Sequence, residues 1–142
     1  MYKRQTELSE TDPRSGTRCL LASNRTQLWE GPSLNLMGKV SPGVTYRISL
    51  WVRSEPSAEP DAGSADSFSI GLTQKRVCAS TDPADGAFTQ LSSGTASPDW
   101  TEQTGVFVAP DCVDLQESSV YLERAPAGAS YCIDDTSLVA VP

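Results

Sequence analysis

Residues Tyr46-Arg47-Ile48-Ser49-Leu50-Trp51-Val52-Arg53 alternate without a break between two kinds of side chain. Tyr46, Ile48, Leu50 and Val52 fall on one side, and Arg47, Ser49, Trp51 and Arg53 on the other. Successive side chains of an extended chain point to opposite faces, so a period of two predicts a strand with one face against a core. A helix would bring apolar residues back every three or four positions, which this octet does not do. The segment before it, Val40-Ser41-Pro42-Gly43-Val44-Thr45, holds a Pro-Gly turn that leads the chain into the strand.

The same period recurs on both sides. Phe68-Ser69-Ile70-Gly71-Leu72-Thr73 alternates with Phe68, Ile70 and Leu72 inward. Cys19 to Ser23, Phe88 to Leu91, Trp100 to Val108, Val120 to Glu123 and Tyr131 to Val139 complete the set of expected strands. No segment carries a capped helical period over ten or more residues. Short strands separated by Pro, Gly, Ser and Asp predict an all-β chain folded as an antiparallel β-sandwich. Residues 54–64, rich in Pro, Ser, Glu and Ala, are expected to be a long exposed loop between two strands. Cutting the chain there would leave neither half a full core, so residues 1–142 are expected to form one module.

Composition narrows the function. Eighteen acidic residues against 11 basic give a net charge of −7. That balance argues against nucleic acid, which selects a basic stripe, and against an anionic membrane surface. No apolar run approaches the ~20 residues that span a bilayer. Histidine is absent, which excludes a Ser-His-Asp triad, a Cys-His pair and His-ligated zinc. Residues 1–16 are polar and lack the apolar stretch of a signal peptide, and so abrupt a start is expected of a module cut from a longer chain. The cysteines stand at 19, 78, 112 and 132 with no CxxC pair. Two disulfides in an extracellular protein are expected, with four thiols in a cytosolic chain as the alternative.

Three groups of side chains are candidates for chemistry. Asp134 and Asp135 are adjacent, so in a strand they diverge and cannot serve as a glycosidase pair, whose carboxyls converge at ~5–9.5 Å. Carboxylates suit calcium, or simply solvate a strand end. Tyr121 and Glu123 share the face opposite Val120 and Leu122, and Phe88 and Gln90 can join that face from a neighbouring strand. An aromatic ring stacks on the C–H face of a pyranose while a carboxylate or amide takes hydroxyls, so this is a candidate sugar surface; the alternative is a solvated Tyr in a strand. Trp29 sits in a polar stretch before Gly31-Pro32, as a binding platform or a lid over the core.

The order of segments resembles carbohydrate-binding module family 22, within the wider family 4/9/22 superfamily, over about residues 15 to 139. Ser15-Gly16, Leu20-Leu21, Asn24-Arg25-Thr26, Trp29 and Gly31-Pro32 resemble its opening. Pro42-Gly43-Val44-Thr45-Tyr46 running into Ser49-Leu50-Trp51-Val52 resembles its most distinctive strand. Phe88-Thr89-Gln90-Leu91 with Asp99-Trp100-Thr101 and Gly105, then Tyr121-Leu122-Glu123, then Tyr131-Cys132-Ile133-Asp134-Asp135-Thr136-Ser137-Leu138, resemble its later blocks. The resemblance implies a jelly roll with a concave cleft that binds β-1,4-linked plant cell-wall polysaccharide, xylan or mixed-linkage β-glucan. It further implies a secreted, monomeric, non-catalytic module tethered to a glycoside hydrolase.

Carried over by residue, the resemblance makes Trp29, Tyr121 and Glu123 cleft residues, and puts Phe88 where the family has a tyrosine. Gln90 and Arg25 are assigned to the same site, with Trp51 as a further candidate. Arg4 is the arginine available where the family carries its cleft arginine. The resemblance also implies a structural calcium ion held by Asp134 or Asp135. Family members begin with an acidic, aromatic first strand, which this chain is expected to lack. Cys19 and Cys132 fall on the second and last strands, which are expected to lie side by side, leaving Cys78 and Cys112 for the second bridge. Two rivals remain: a module for β-glucan, cellulose or xyloglucan that excludes xylan, and a structural or interaction sandwich without sugar binding.

Overall fold

A computed structural model of the 142-residue chain describes residues 14, 19–22, 31–55, 67–126 and 128–142, and the backbone of 6–9. The strands are β1 (Thr6–Ser9), β2 (Cys19–Ala22), β3 (Ser33–Asn35), β4 (Thr45–Glu55), β5 (Phe68–Cys78), β6 (Ala87–Gln90), β7 (Gly94–Ala96), β8 (Thr101–Val108), β9 (Leu115–Glu123) and β10 (Ser130–Ala140). Among the described residues there is no helix. One sheet runs β1-β2-β10-β4-β8 and the other β3-β9-β5-β6, with β7 on β5, and every pairing is antiparallel.

The deciding octet lies within β4. Ile48, Leu50 and Val52 are buried, and Tyr46 packs beside them at the margin of the core. The Pro42-Gly43 turn precedes it as expected: the Val44 amide donates to the Ser41 carbonyl, and Gly43 takes φ +76°, which a type II turn demands at its third residue. The facing sheet contributes Ile70 and Leu72 from β5 and Val120 and Leu122 from β9. Each such side chain is worth about 1.5–3 kcal/mol when taken fully out of water, and the two inner faces together make the core.

Three expectations are corrected. Ser54 and Glu55 belong to β4 and pair with Tyr131 and Ser130, so the loop starts later than 54, and residues 56–66 lie outside the described residues. Arg53 keeps the outward parity expected of it but is buried at 3%, between the Glu55 carboxylate and the Trp100 ring. A strand precedes Cys19 after all, since β1 pairs with β2 along its whole length. The sequence also hid the extensions of β5 to Cys78 and of β9 back to Leu115, because polar residues at inward positions, Gln74 and Ser118, interrupt the apolar alternation there.

Both disulfides are present, Cys19–Cys132 and Cys78–Cys112, with Cα atoms 5.8 and 6.1 Å apart. The first follows from register. Cys132 lies opposite Leu21, two residues from Cys19 and on the same face, which is a diagonal neighbour across adjacent strands.

Candidate functional site

Register decides which side chains meet on the outer face of the β3-β9-β5-β6 sheet. Residues directly opposite each other in a ladder point the same way. Ser33 faces Tyr121, Tyr121 faces Thr73, and Thr73 faces Gln90, so these four form one row across four strands. The next row is Asn35, Ser119, Lys75 and Phe88. Glu123 lies on the same face beyond Tyr121, opposite Gly71. Tyr121, Glu123, Phe88 and Gln90 therefore share one outer face, as alternation predicts, and Val120 and Leu122 are buried behind it.

An open groove of about 500 Å³ lies on this face, bordered by Tyr121 and Phe88 with Ser33, Ser119, Lys75 and Glu117. Glu123 and Gln90 continue the face beyond the groove lining. Phe88 is 53% exposed, high for an aromatic ring that a core would otherwise claim. Lys75 pairs with Glu117 at 3.2 Å and lies 5.9 Å from the Phe88 ring centroid. Partial burial first, then the charge of Glu123, push the Tyr121 hydroxyl above the ordinary tyrosine value, with Arg124 opposing. The phenol is thus a neutral donor through the physiological range.

Glu123 is fixed by two contacts on Oε2: the Thr73 hydroxyl donates to it, and Arg124 Nη1 lies at 3.3 Å. Thr73, Lys75, Ser119, Ser33 and Arg124 were not anticipated. Alternation carried past Thr73 would have exposed Lys75, and carried back from Val120 would have exposed Ser119. Nothing in the sequence signals Arg124.

Trp51, also expected at the site, is not brought to this face. Trp51 stands on β4 of the opposite sheet, with the Arg14 guanidinium 3.7 Å over its ring. Trp29, Arg25 and Arg4 lie outside the described residues.

Asp134 and Asp135 occur where the β10 register shifts between Asp134 and Ser137, and Asp135 takes φ +52°. Asp134 accepts the Arg14 amide at 3.0 Å and the Asp135 amide at 2.8 Å, while Asp135 holds the Arg14 guanidinium at 2.5 Å. Calcium takes six to eight oxygen ligands. The described side chains at this bulge fit a guanidinium better than an oxygen-ligated ion, because each carboxylate already faces N–H donors. Among the described residues, the group of three metal-capable side chains is Cys78, Cys112 and Asp114, whose sulfurs are joined to each other.

A family model described as "Carbohydrate binding domain" matches residues 2–129. The endo-1,4-beta-xylanase A of Thermoanaerobacterium saccharolyticum is 30% identical over 125 residues, which make up 88% of this chain and 10% of that protein. The chain thus spans about a tenth of that relative's length. Among solved structures, the CBM22-1 xylan-binding domain of Paenibacillus barcinonensis Xyn10C matches with a TM-score of 0.79 and 23% identity, over 96% of this chain and 80% of its own. The CBM22-1-GH10 modules of Clostridium thermocellum Xyn10B, complexed with xylohexaose, match with a TM-score of 0.76 and 15% identity, over 95% of this chain and 24% of that one. At these identities the two structures establish a shared fold.

Proposed function

The chain belongs to the carbohydrate binding domain family, and from that premise we propose that it binds a β-1,4-linked plant cell-wall polysaccharide, xylan first, along the outer face of the β3-β9-β5-β6 sheet. Domains of this family are non-catalytic modules. The observation that carries the reading is the pair of rows with Tyr121 and Phe88 bordering one open groove. Tyr121 and Phe88 supply flat apolar surfaces for the C–H faces of sugar rings. Ser33, Ser119 and Gln90 offer neutral hydrogen-bonding groups, and Glu123 accepts from sugar hydroxyls. Trp29 is proposed to add a third ring. The ligand is uncharged, so no large basic surface is needed, in keeping with the net charge of −7.

The relatives' length supports attachment to a glycoside hydrolase in a longer chain, and the two disulfides favour a secreted one. Tethering makes a modest affinity sufficient, because the enzyme is held at a high effective concentration near its substrate. Affinity electrophoresis in gels containing xylan, barley β-glucan, xyloglucan or mannan tests the site. Xylan should retard the wild type, and Tyr121→Ala or Trp29→Ala should abolish the retardation. If both variants migrate as the wild type does, the site lies elsewhere. A second reading, a glucan-binding module that excludes xylan, draws on Phe88, whose ring lacks a hydroxyl. It predicts retardation by β-glucan or xyloglucan alone.

A further inference from the structure

Alternation along β9 should turn Arg124, the residue after Glu123, toward the core side of the sheet. The backbone prevents this. Arg124 takes φ +76°, a left-handed conformation uncommon for any residue with a side chain, and the chain swings the guanidinium back onto the outer face. There Nη1 donates to Thr73 Oγ1 at 3.1 Å and to Glu123 Oε2 at 3.3 Å, and Nη2 donates to the Ser92 carbonyl at 2.5 Å. The guanidinium passes over Gly71, and a Cβ at that position would collide with Arg124 Nη2 and the Ser92 carbonyl oxygen. A strained backbone, a glycine without room for a methyl group, and three donated hydrogen bonds thus converge on one arginine beside the carboxylate of the proposed sugar site.

We infer that Arg124 is a positioning residue for carbohydrate recognition: with Thr73 it holds Glu123 through Oε2, so that Oε1 is the oxygen offered to a hydroxyl of the glycan. The inference rests on the binding face proposed above. A merely structural arginine would also tie β9 to Ser92, but its removal would not depend on Glu123. Arg124→Gly separates the two roles, because glycine adopts the left-handed backbone freely and the variant is expected to fold.

Isothermal titration with xylohexaose should show Arg124→Gly binding about tenfold more weakly than the wild type, the scale of losing charge-assisted hydrogen bonds that orient a ligand group. In a Glu123→Gln background the same substitution should cost less than about twofold, since the carboxylate it positions is gone. Arg124→Lys, which keeps the charge but not the planar fork, should restore only part of the loss. Unchanged affinity of Arg124→Gly, or an equal loss with and without the Glu123 carboxylate, overturns the assignment. Tyr121→Ala serves as the reference. If it abolishes binding while Arg124→Gly leaves the affinity unchanged, only the role of Arg124 fails. If it binds as the wild type does, or if the wild type does not bind, the face itself is wrong and the inference falls with it.

Discussion

Tyr121 holds its proton through two influences that act in the same direction. Burial disfavours the phenolate, and the Glu123 carboxylate would repel it. Its folded-state value is therefore raised above that of the unfolded chain. The stabilisation linked to it is fully present below the unfolded value, near pH 10, and is lost as pH rises through the folded one. Absorbance titration of the four tyrosines should show that the wild type has a component above the ordinary range that is missing in Tyr121→Phe. Loss of only an ordinary component in Tyr121→Phe would contradict the partial burial of the ring and the placement of Glu123 beside it. Tyr121, Glu123, Phe88 and Gln90 were legible in the sequence because facing a sheet's outer side is a local property, fixed by parity within a strand. Arg124 was not, because a single left-handed residue reverses parity without leaving any mark in composition.

Two elements carry charges whose function is local. At the β10 bulge, Arg14 supplies positive charge to Asp134 and Asp135 and covers Trp51. An ion bound only to the folded state would raise the melting temperature. We expect chelator to leave the melting temperature unchanged and Arg14→Ala to lower it by a few degrees. A melt that falls in chelator and recovers with calcium would instead show that the folded chain binds the ion. The second element is the start of β9. The Asp114 carboxyl is held below the ordinary aspartate value, chiefly by hydrogen bonding from the Ser80 side chain, with the Ser80 amide adding at 2.7 Å. A depressed folded value gives stability that is present above the unfolded value and lost as pH falls through the folded one. Asp114→Asn should therefore be less stable than wild type in urea at about pH 7, and the gap should close toward about pH 2. A gap that persists in acid would mean that the side chain acts through geometry and not through charge.

The whole molecule is closed by its two bridges, which differ in the length of chain they span. Cys19–Cys132 joins residues 113 apart in sequence, and Cys78–Cys112 joins residues 34 apart. Loop-closure entropy makes the longer loop worth about 5 kcal/mol and the shorter about 4 kcal/mol. Replacing Cys19 and Cys132 by alanine should thus lower unfolding free energy by about 1 kcal/mol more than replacing Cys78 and Cys112. Urea denaturation of the two double variants measures the difference, and a reversed order would show that native packing, not chain entropy, dominates. The all-β class, the strand β4, the inward residues of β4, β5 and β9, and the outward face that holds Tyr121 and Glu123 were determined by the sequence alone, because a two-residue period and turn chemistry act over a few residues. Which strands lie side by side was decided only in three dimensions. Ladder register, set by the packing of two sheets over one core, aligned Ser33, Thr73, Lys75 and Ser119 with the aromatic rings, strand order put Trp51 on the far sheet, and a left-handed backbone turned Arg124 over Gly71.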